Sequence, residues 1–277
     1  MKSAFSWLGG VLDPQGPIGA AERIILLDAT VIMLAVVAPV IILTLAFGFW
    51  FRSGNAKATY LPEWAYSGRI EVVVWSIPTL VVLFLGGIAW IGSHDLDPPR
   101  PIASNAKPIN VEVVALDWKW LFIYPDQGVA SVNRLVVPVG APISFRLTSA
   151  TVMNSFFVPQ LGSQIYAMSG MTTRLNLLAD HPGAYPGLSA QFSGDGFSDM
   201  RFDVEAVPAS DFQSWVKTTQ SGGGGALDPA SYAALAKPSS AAAPRTYASL
   251  APHIFEDAVN ADSAMAPAAQ PAAAHAD

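Results

Sequence analysis

With 277 residues, 52% of them hydrophobic and only 13% charged, the chain is long enough for one or two domains and too apolar for an ordinary soluble enzyme. A formal net charge of -6 without a strongly basic stretch excludes nucleic-acid binding, because gripping phosphates needs clustered Lys and Arg. The absence of cysteine excludes disulfides, zinc ribbons, thiolate nucleophiles and Cys acylation within this sequence.

In chain order, residues 1–23 form an N-terminal segment whose apolar run "FSWLGGVL" is too short for a signal peptide and lacks a small-x-small cleavage pattern after it. Two uncharged apolar runs follow, from Ala29 to Phe51 and from Val72 to Gly92. Each is long enough as a helix to cross a hydrocarbon core of about 30 Å and too long for an ordinary core element. Residues 24–92 are therefore predicted to form a transmembrane helical hairpin, with Pro39 and Pro78 inside the helices and Phe49, Trp50, Trp75 and Trp90 toward the ends, where aromatic belts form. The connection carries Arg52, Lys57 and Arg69, against Lys2 and Arg23 in the N-terminal tail, so the positive-inside rule turns the loop to the cytoplasm and both termini outward.

Residues 93–108 read as a polar, Pro-rich linker. From 109 to 207 the pattern becomes short β-prone segments broken by turns, among them "INVEVVALDW", "KWLFIYP", "VNRLVVP", "PISFRLTSA" and "DMRFDVEAV". This spacing suggests an antiparallel sandwich or small barrel. Residues 208–220 return to helix, with Ser210 as the predicted N-cap, and Trp118 and Trp120 share one face of a strand by their i, i+2 spacing. Residues 221–277 form a low-complexity tail rich in Gly, Ala and Pro, with little to bury, flexible or wrapped on the surface. The four histidines neither cluster nor sit beside carboxylates, so they read as surface residues, and "GGGG" at 222–225 lacks the Lys-Ser/Thr of a phosphate loop.

A helical hairpin followed by a β-domain holding "DWKW", "VMNSFFVPQLGSQIYAMSGM" and "LSAQFSGDGFSDMRF" resembles subunit II of the haem-copper terminal oxidases, most closely the ubiquinol-oxidizing branch, over roughly residues 12 to 220. The resemblance implies a cupredoxin-like Greek-key barrel on the periplasmic side of a bacterial inner membrane. In the cytochrome c-oxidizing relatives that barrel holds the binuclear copper A centre, on two bridging Cys, two His, a Met and a backbone carbonyl. Position by position, Asn154 stands for the first His, Ser189 and Ser193 for the thiolates, Gln191 for the carbonyl-donating Glu and Phe197 for the second His; only Met200 is kept. Hydroxyls and a lone thioether are poor ligands for mixed-valence copper, so these positions are expected to hold no metal.

The resemblance further implies that this chain carries no cofactor and no catalytic centre. Haems and copper B belong to subunit I, and ubiquinol delivers electrons there directly. Glu71, at the cytoplasmic mouth of the second helix, matches a carboxylate at the entrance of a proton path into subunit I, although on the residues alone it also reads as a solvated interfacial charge paired with Arg69. The partners implied are subunit I, the other oxidase subunits and membrane lipid. Two other readings stay open on the sequence: a copper-free, membrane-anchored cupredoxin-like scaffold or binding protein, and a cytochrome c oxidase subunit II, against which the missing cysteines count heavily. Eight acidic against six basic residues between Asn105 and Val207 give no strong field to steer a basic electron donor.

Overall fold

The computed structural model describes residues 10–59 and 61–261; the first part of the N-terminal apolar run, His275 and the Ala/Pro-rich end lie outside them. The chain divides into two compact units, residues 21–97 and residues 1–20 with 98–277. The first contains most of α1 (Pro17–Trp50) and all of α2 (Gly68–Asp95). At 34 and 28 residues these run about 51 and 42 Å. Their most apolar windows carry no protein cover, as helices solvated by lipid require, and the protein is membrane-anchored. Thr30, Thr44 and Thr79 donate their hydroxyls to the carbonyls of Leu26, Val40 and Trp75, each at 2.7 Å, so these polar groups are satisfied within their own helix.

The second unit is a two-sheet β-domain. One sheet contains β1 (Ile109–Leu116), β2 (Lys119–Tyr124), β3 (Val129–Val132), β5 (Ile143–Ser149), β8 (Thr173–Leu177) and β12 (Arg245–Tyr247), in the order β12-β3-β2-β1-β5-β8. The other contains β4 (Arg134–Pro138), β6 (Asn154–Phe157), β7 (Ile165–Ala167), β9 (Gly183–Ser189) and β10 (Arg201–Val207), in the order β4-β10-β9-β6-β7. Pairing is mixed and not purely antiparallel: β1 runs parallel to β5, and β4 parallel to β10. The predicted strand "VNRLVVP" is split by Asn133, the single residue between β3 and β4, where the chain passes from one sheet to the other. It takes the left-handed φ of 55° that Asn tolerates better than most residues.

Between the sheets lies an aromatic layer. Trp120 and Phe122 of β2 meet Phe156 and Phe202 of the opposite sheet, with Phe156 and Phe202 stacked at a centroid separation of 5.0 Å. Phe202 pairs across the ladder with Gly187, and a Cβ there would collide with its ring, so the glycine is what lets the ring lie flat. The buried Tyr124 hydroxyl donates to Val136 O (3.0 Å) and accepts from Val136 N (2.9 Å), stitching one sheet to the other; burial raises this phenol well above its ordinary pKa.

The first sheet is apolar on both faces. Val111, Val113, Ala115, Trp120 and Phe122 face the inter-sheet core, while Val114, Leu116, Leu121 and Ile123 face outward. Residues 222–261 cover that outer face and bury more than their Gly-, Ala- and Pro-rich composition suggests. After α3 (Ala209–Ser221), β11 (Ala226–Leu227), α4 (Pro229–Ala236), β13 (Ser249–Leu250) and α5 (Ile254–Asn260) fold around β12, and Leu227, Leu235, Tyr247, Ile254, Phe255 and Ala258 form a second core against the sheet. Asp228 and Ser231 cap α4 reciprocally. Ser210 is not the cap of α3: Pro208 holds that position, and the Ser210 hydroxyl donates to Asp211 inside the first turn.

Two polar clasps hold the covering segment. Lys119, 1% exposed, donates its ammonium to Lys237 O (2.8 Å) and Ser239 Oγ (2.6 Å); burial and then the neighbouring Arg245 charge lower its pKa. Asn133 accepts from Trp120 N and donates to Ala242 O, both at 2.8 Å. At the far edge, Arg146 bridges Glu112 (2.6 Å) and Glu256 (3.4 Å) over the ring of Phe255. Removing that ring with Phe255→Ala should cost about 3–5 kcal/mol, seen as a lower denaturation midpoint of the detergent-solubilised chain and new protease cleavage between 237 and 250; an unchanged midpoint would show that the outer core carries little of the domain's stability.

Candidate functional site

The copper-frame positions are brought together at one end of the barrel. The register places Asn154, first residue of β6, beside Ser189, last residue of β9: Phe156 pairs with Ser189, and β6 runs antiparallel to β9. Both side chains are buried. Ser189 Oγ donates toward Asn154 Oδ1 (3.2 Å) and toward Gln191 O (3.3 Å), so its one proton is shared between an amide and the backbone carbonyl of the Gln191 position. The Asn154 amide donates to Val152 O at 3.0 Å. Ser189 N donates to Met200 O (3.1 Å), and Ala190 N to Ser155 O (2.9 Å), fixing the loop at both ends.

Ser193 and Met200 form the other half. Ser193 Oγ lies 3.9 Å from the buried Met200 Sδ, a long contact in which the hydroxyl donates to the thioether. Phe197 opens a 3-10 turn that ends at Asp199, and its ring meets Phe192 edge-on at 5.6 Å. The frame thus joins Asn154, Ser189, the Gln191 carbonyl, Ser193 and Met200 through polar contacts, and turns Phe197 to an aromatic neighbour. As a donor set, two hydroxyls, a primary amide and one thioether do not fit a soft, thiolate-bridged copper pair. Among the described residues no group of three or more His, Cys, Asp or Glu converges as a metal site would require.

Trp118 does not lie on a strand with Trp120. It occupies the turn between β1 and β2 at a φ of 61°, and the residue after it restarts the ladder. Trp120 points into the core, whereas Trp118 lies half-buried over the copper-frame loop and donates Nε1 to Ser193 O at 3.0 Å. Gly194 and Gly196 lie beneath the indole; a Cβ on Gly196 would overlap the ring. The "SGDG" turn is therefore shaped to receive an aromatic plate. Thr151 Oγ1, donating to Asp117 at 2.8 Å, ties the β1–β2 turn to the loop before β6.

Glu71 stands in the first turn of α2, where its Oε2 accepts from Trp75 Nε1 at 3.1 Å. Tyr66, Trp75, Ser76 and Thr79 line an open depression around it. The i, i+4 spacing of Glu71 and Trp75 is the one sequence signal that points to the indole partner. His94 packs on Trp90 and contacts its carbonyl at 2.8 Å, away from any cluster.

A family model for the periplasmic domain of cytochrome c oxidase subunit II matches residues 125–207, and one for the COX aromatic rich motif matches residues 222–261, the segment that covers the outer face. Over 231 residues the chain is 52% identical to ubiquinol oxidase subunit 2 of Acetobacter aceti, covering 83% of this chain and 75% of that protein. Over 252 residues it is 46% identical to cytochrome bo(3) ubiquinol oxidase subunit 2 of Pseudomonas aeruginosa, covering 90% and 76%. The crystal structure of the periplasmic domain of subunit II of a Bradyrhizobium japonicum cytochrome oxidase is similar at 26% identity over 42% of this chain and 94% of that one, with a TM-score of 0.39.

The fit between Gly196 and Trp118 can be tested directly. Gly196→Ala should displace the indole, break its bond to Ser193 O and destabilise the β-domain by about 1–3 kcal/mol. A red-shifted component in tryptophan fluorescence would report the displaced ring, and an unshifted spectrum would contradict the packing.

Proposed function

The chain belongs to the ubiquinol oxidase subunit 2 family, and we propose that within such an oxidase it works as a copper-free brace: it supports the haem-bearing subunit I and helps admit protons, while electrons bypass its barrel. The observation that carries this reading is the polar closure of the copper frame. Ser189 is engaged with Asn154 and the Gln191 carbonyl, Ser193 with Met200, and the chain has no cysteine to bridge two coppers. A metal pair would have to displace those contacts and would gain only hard or weak donors in exchange.

An oxidase whose second subunit lacks that relay needs a donor that reaches the haems without crossing this domain. A lipid-soluble quinol does so from within the membrane, whereas a soluble protein donor would arrive at the barrel. The near balance of charge on the domain agrees, since it offers no field to concentrate a basic donor.

The same reading places the β-domain and both termini in the periplasm and the loop between α1 and α2 in the cytoplasm, supported by Arg52, Lys57 and Arg69 in that loop. Glu71, at the loop-side end of α2, then lies at the cytoplasmic boundary, where a carboxylate can exchange protons with water. Its bond from Trp75 holds the side chain against its own helix and leaves the second oxygen to accept and pass a proton.

Oxygen uptake by the purified complex should be driven by ubiquinol and not by reduced cytochrome c, with no copper beyond the copper B of subunit I. Copper bound here, or equal rates with the two donors, would overturn the reading. Glu71→Gln, which keeps the shape and removes the titrating oxygen, should slow ubiquinol-driven turnover severalfold at unchanged haem content; full turnover would remove Glu71 from the proton path and leave the electron route untouched.

A further inference from the structure

The hydroxyl-bearing side chains of the two membrane helices are Thr30 and Thr44 in α1 and Ser76, Thr79 and Ser93 in α2. All but one spend the proton on their own helix: the three threonines donate to i−4 carbonyls, and Ser93 donates to Trp90 O at 2.9 Å. Ser76 is the exception. Val72 O stands in the i−4 place that Val40 O fills for Thr44, yet among the described residues the Ser76 hydroxyl makes no hydrogen bond. Serine lacks the γ-methyl that restricts threonine at χ1, and can turn away from the backbone.

Ser76 lies inside the uncharged run from Val72 to Gly92, about 7.5 Å along the helix axis from Glu71. At that depth an unspent hydroxyl is costly, so it calls for a partner that its own helix does not supply. Two residues on, Pro78 has no N–H to offer Val74 O, so a backbone carbonyl near the same level also lacks its regular helical donor. Both are places where water is held.

The depression around Glu71 is where such water would sit. Residues 71, 75 and 79 form one i+4 ridge of α2 and residues 72, 76 and 80 the next, and both ridges line it. Its volume of about 600 Å³ has room for several waters at about 30 Å³ each. Along the first ridge Trp75 Nε1 is spent on the Glu71 carboxylate and the Thr79 hydroxyl on Trp75 O. Beyond the first turn of α2, Ser76 is therefore the lining side chain that still has a proton to give.

We infer that Ser76 is a positioning residue for proton entry: its hydroxyl holds a water that takes the proton from Glu71 and carries it more than one turn deeper along α2. The inference rests on the reading of Glu71 as a proton-path residue. Protonated Glu71 gives its O–H proton to that water, leaving a carboxylate and a hydronium. The hydronium passes a proton onward to the haem-bearing subunit and reverts to water, while the carboxylate is reprotonated from the cytoplasmic side. A serine hydroxyl suits both states, because it donates to a neutral water and accepts from a hydronium. An aliphatic side chain does neither.

The test uses the purified, assembled complex, with ubiquinol-driven oxygen uptake per haem as the readout. Ser76→Ala should lower kcat about two- to tenfold, the worth of one neutral hydrogen bond, with haem content and the KM for ubiquinol unchanged. The solvent deuterium isotope effect should grow, since proton entry then limits turnover. Combined with Glu71→Gln, the substitution should add no further loss, because two groups on one path are not additive. Wild-type kcat in Ser76→Ala, an unaltered isotope effect, or a loss that multiplies with that of Glu71→Gln would overturn the inference; so would a fall in haem content, the mark of a packing role. The two readings fail separately: full turnover in Glu71→Gln removes Glu71 from the path and Ser76 with it, whereas slow Glu71→Gln beside wild-type Ser76→Ala removes Ser76 alone.

Discussion

A sheet that is apolar on both faces cannot be left with one of them in water, and most of this β-domain follows from that constraint. The alternation along β1 and β2 sends Trp120 and Phe122 one way and Leu121 and Ile123 the other, so two separate covers are required. The second sheet supplies the first through the ring layer around Phe156 and Phe202. The second cover comes from the far end of the sequence, held by a buried ammonium and an amide. Burying Lys119 costs desolvation of its charge, which the contacts to Lys237 O and Ser239 Oγ offset only while the covering segment is in place.

The loop at the Asn154–Met200 end of the barrel is held by several weak contacts of the chain itself. Here a shared hydroxyl proton, a thioether contact and an indole lying on two glycines fix it. Each is individually small, about 0.5–1.5 kcal/mol for a neutral hydrogen bond, but they act on one short loop anchored at both ends by backbone bonds.

Much of this was legible in the sequence. Run length and the lack of charge marked both membrane helices, since few other environments tolerate such segments. Short β-prone stretches between turns marked the barrel, and the resemblance pointed to Asn154, Ser189, Ser193 and Met200, which the fold brings to one end of it. What escaped was non-local. The split at Asn133 depends on a change of sheet that no local pattern encodes, and the parallel pairing of β1 with β5 depends on which strands meet. Trp118 was misplaced because i, i+2 spacing means one face only if both residues lie in the same strand. The order of residues 222–261 was hidden by their Ala, Gly and Ser content, yet "KWLFIY" carried the clue: a strand apolar at every position after its lysine is covered on both sides.

Asn133 links the beginning of the domain to its end. One residue turns the chain between sheets, accepts the Trp120 amide and reaches Ala242, which is 109 positions later, while Lys119 waits for residues 118 and 120 positions downstream. Contacts that distant form late, because closing long loops must precede the reward. During synthesis the barrel thus emerges with its outer wall bare and its hinge half engaged, and it becomes a finished body only when the roughly forty residues that follow Ser221 arrive, about 2–8 seconds behind at ordinary rates of chain growth. For that interval the domain resembles an aggregation-prone intermediate more than a native protein, which makes timely delivery of the covering segment a condition of assembly in its own right.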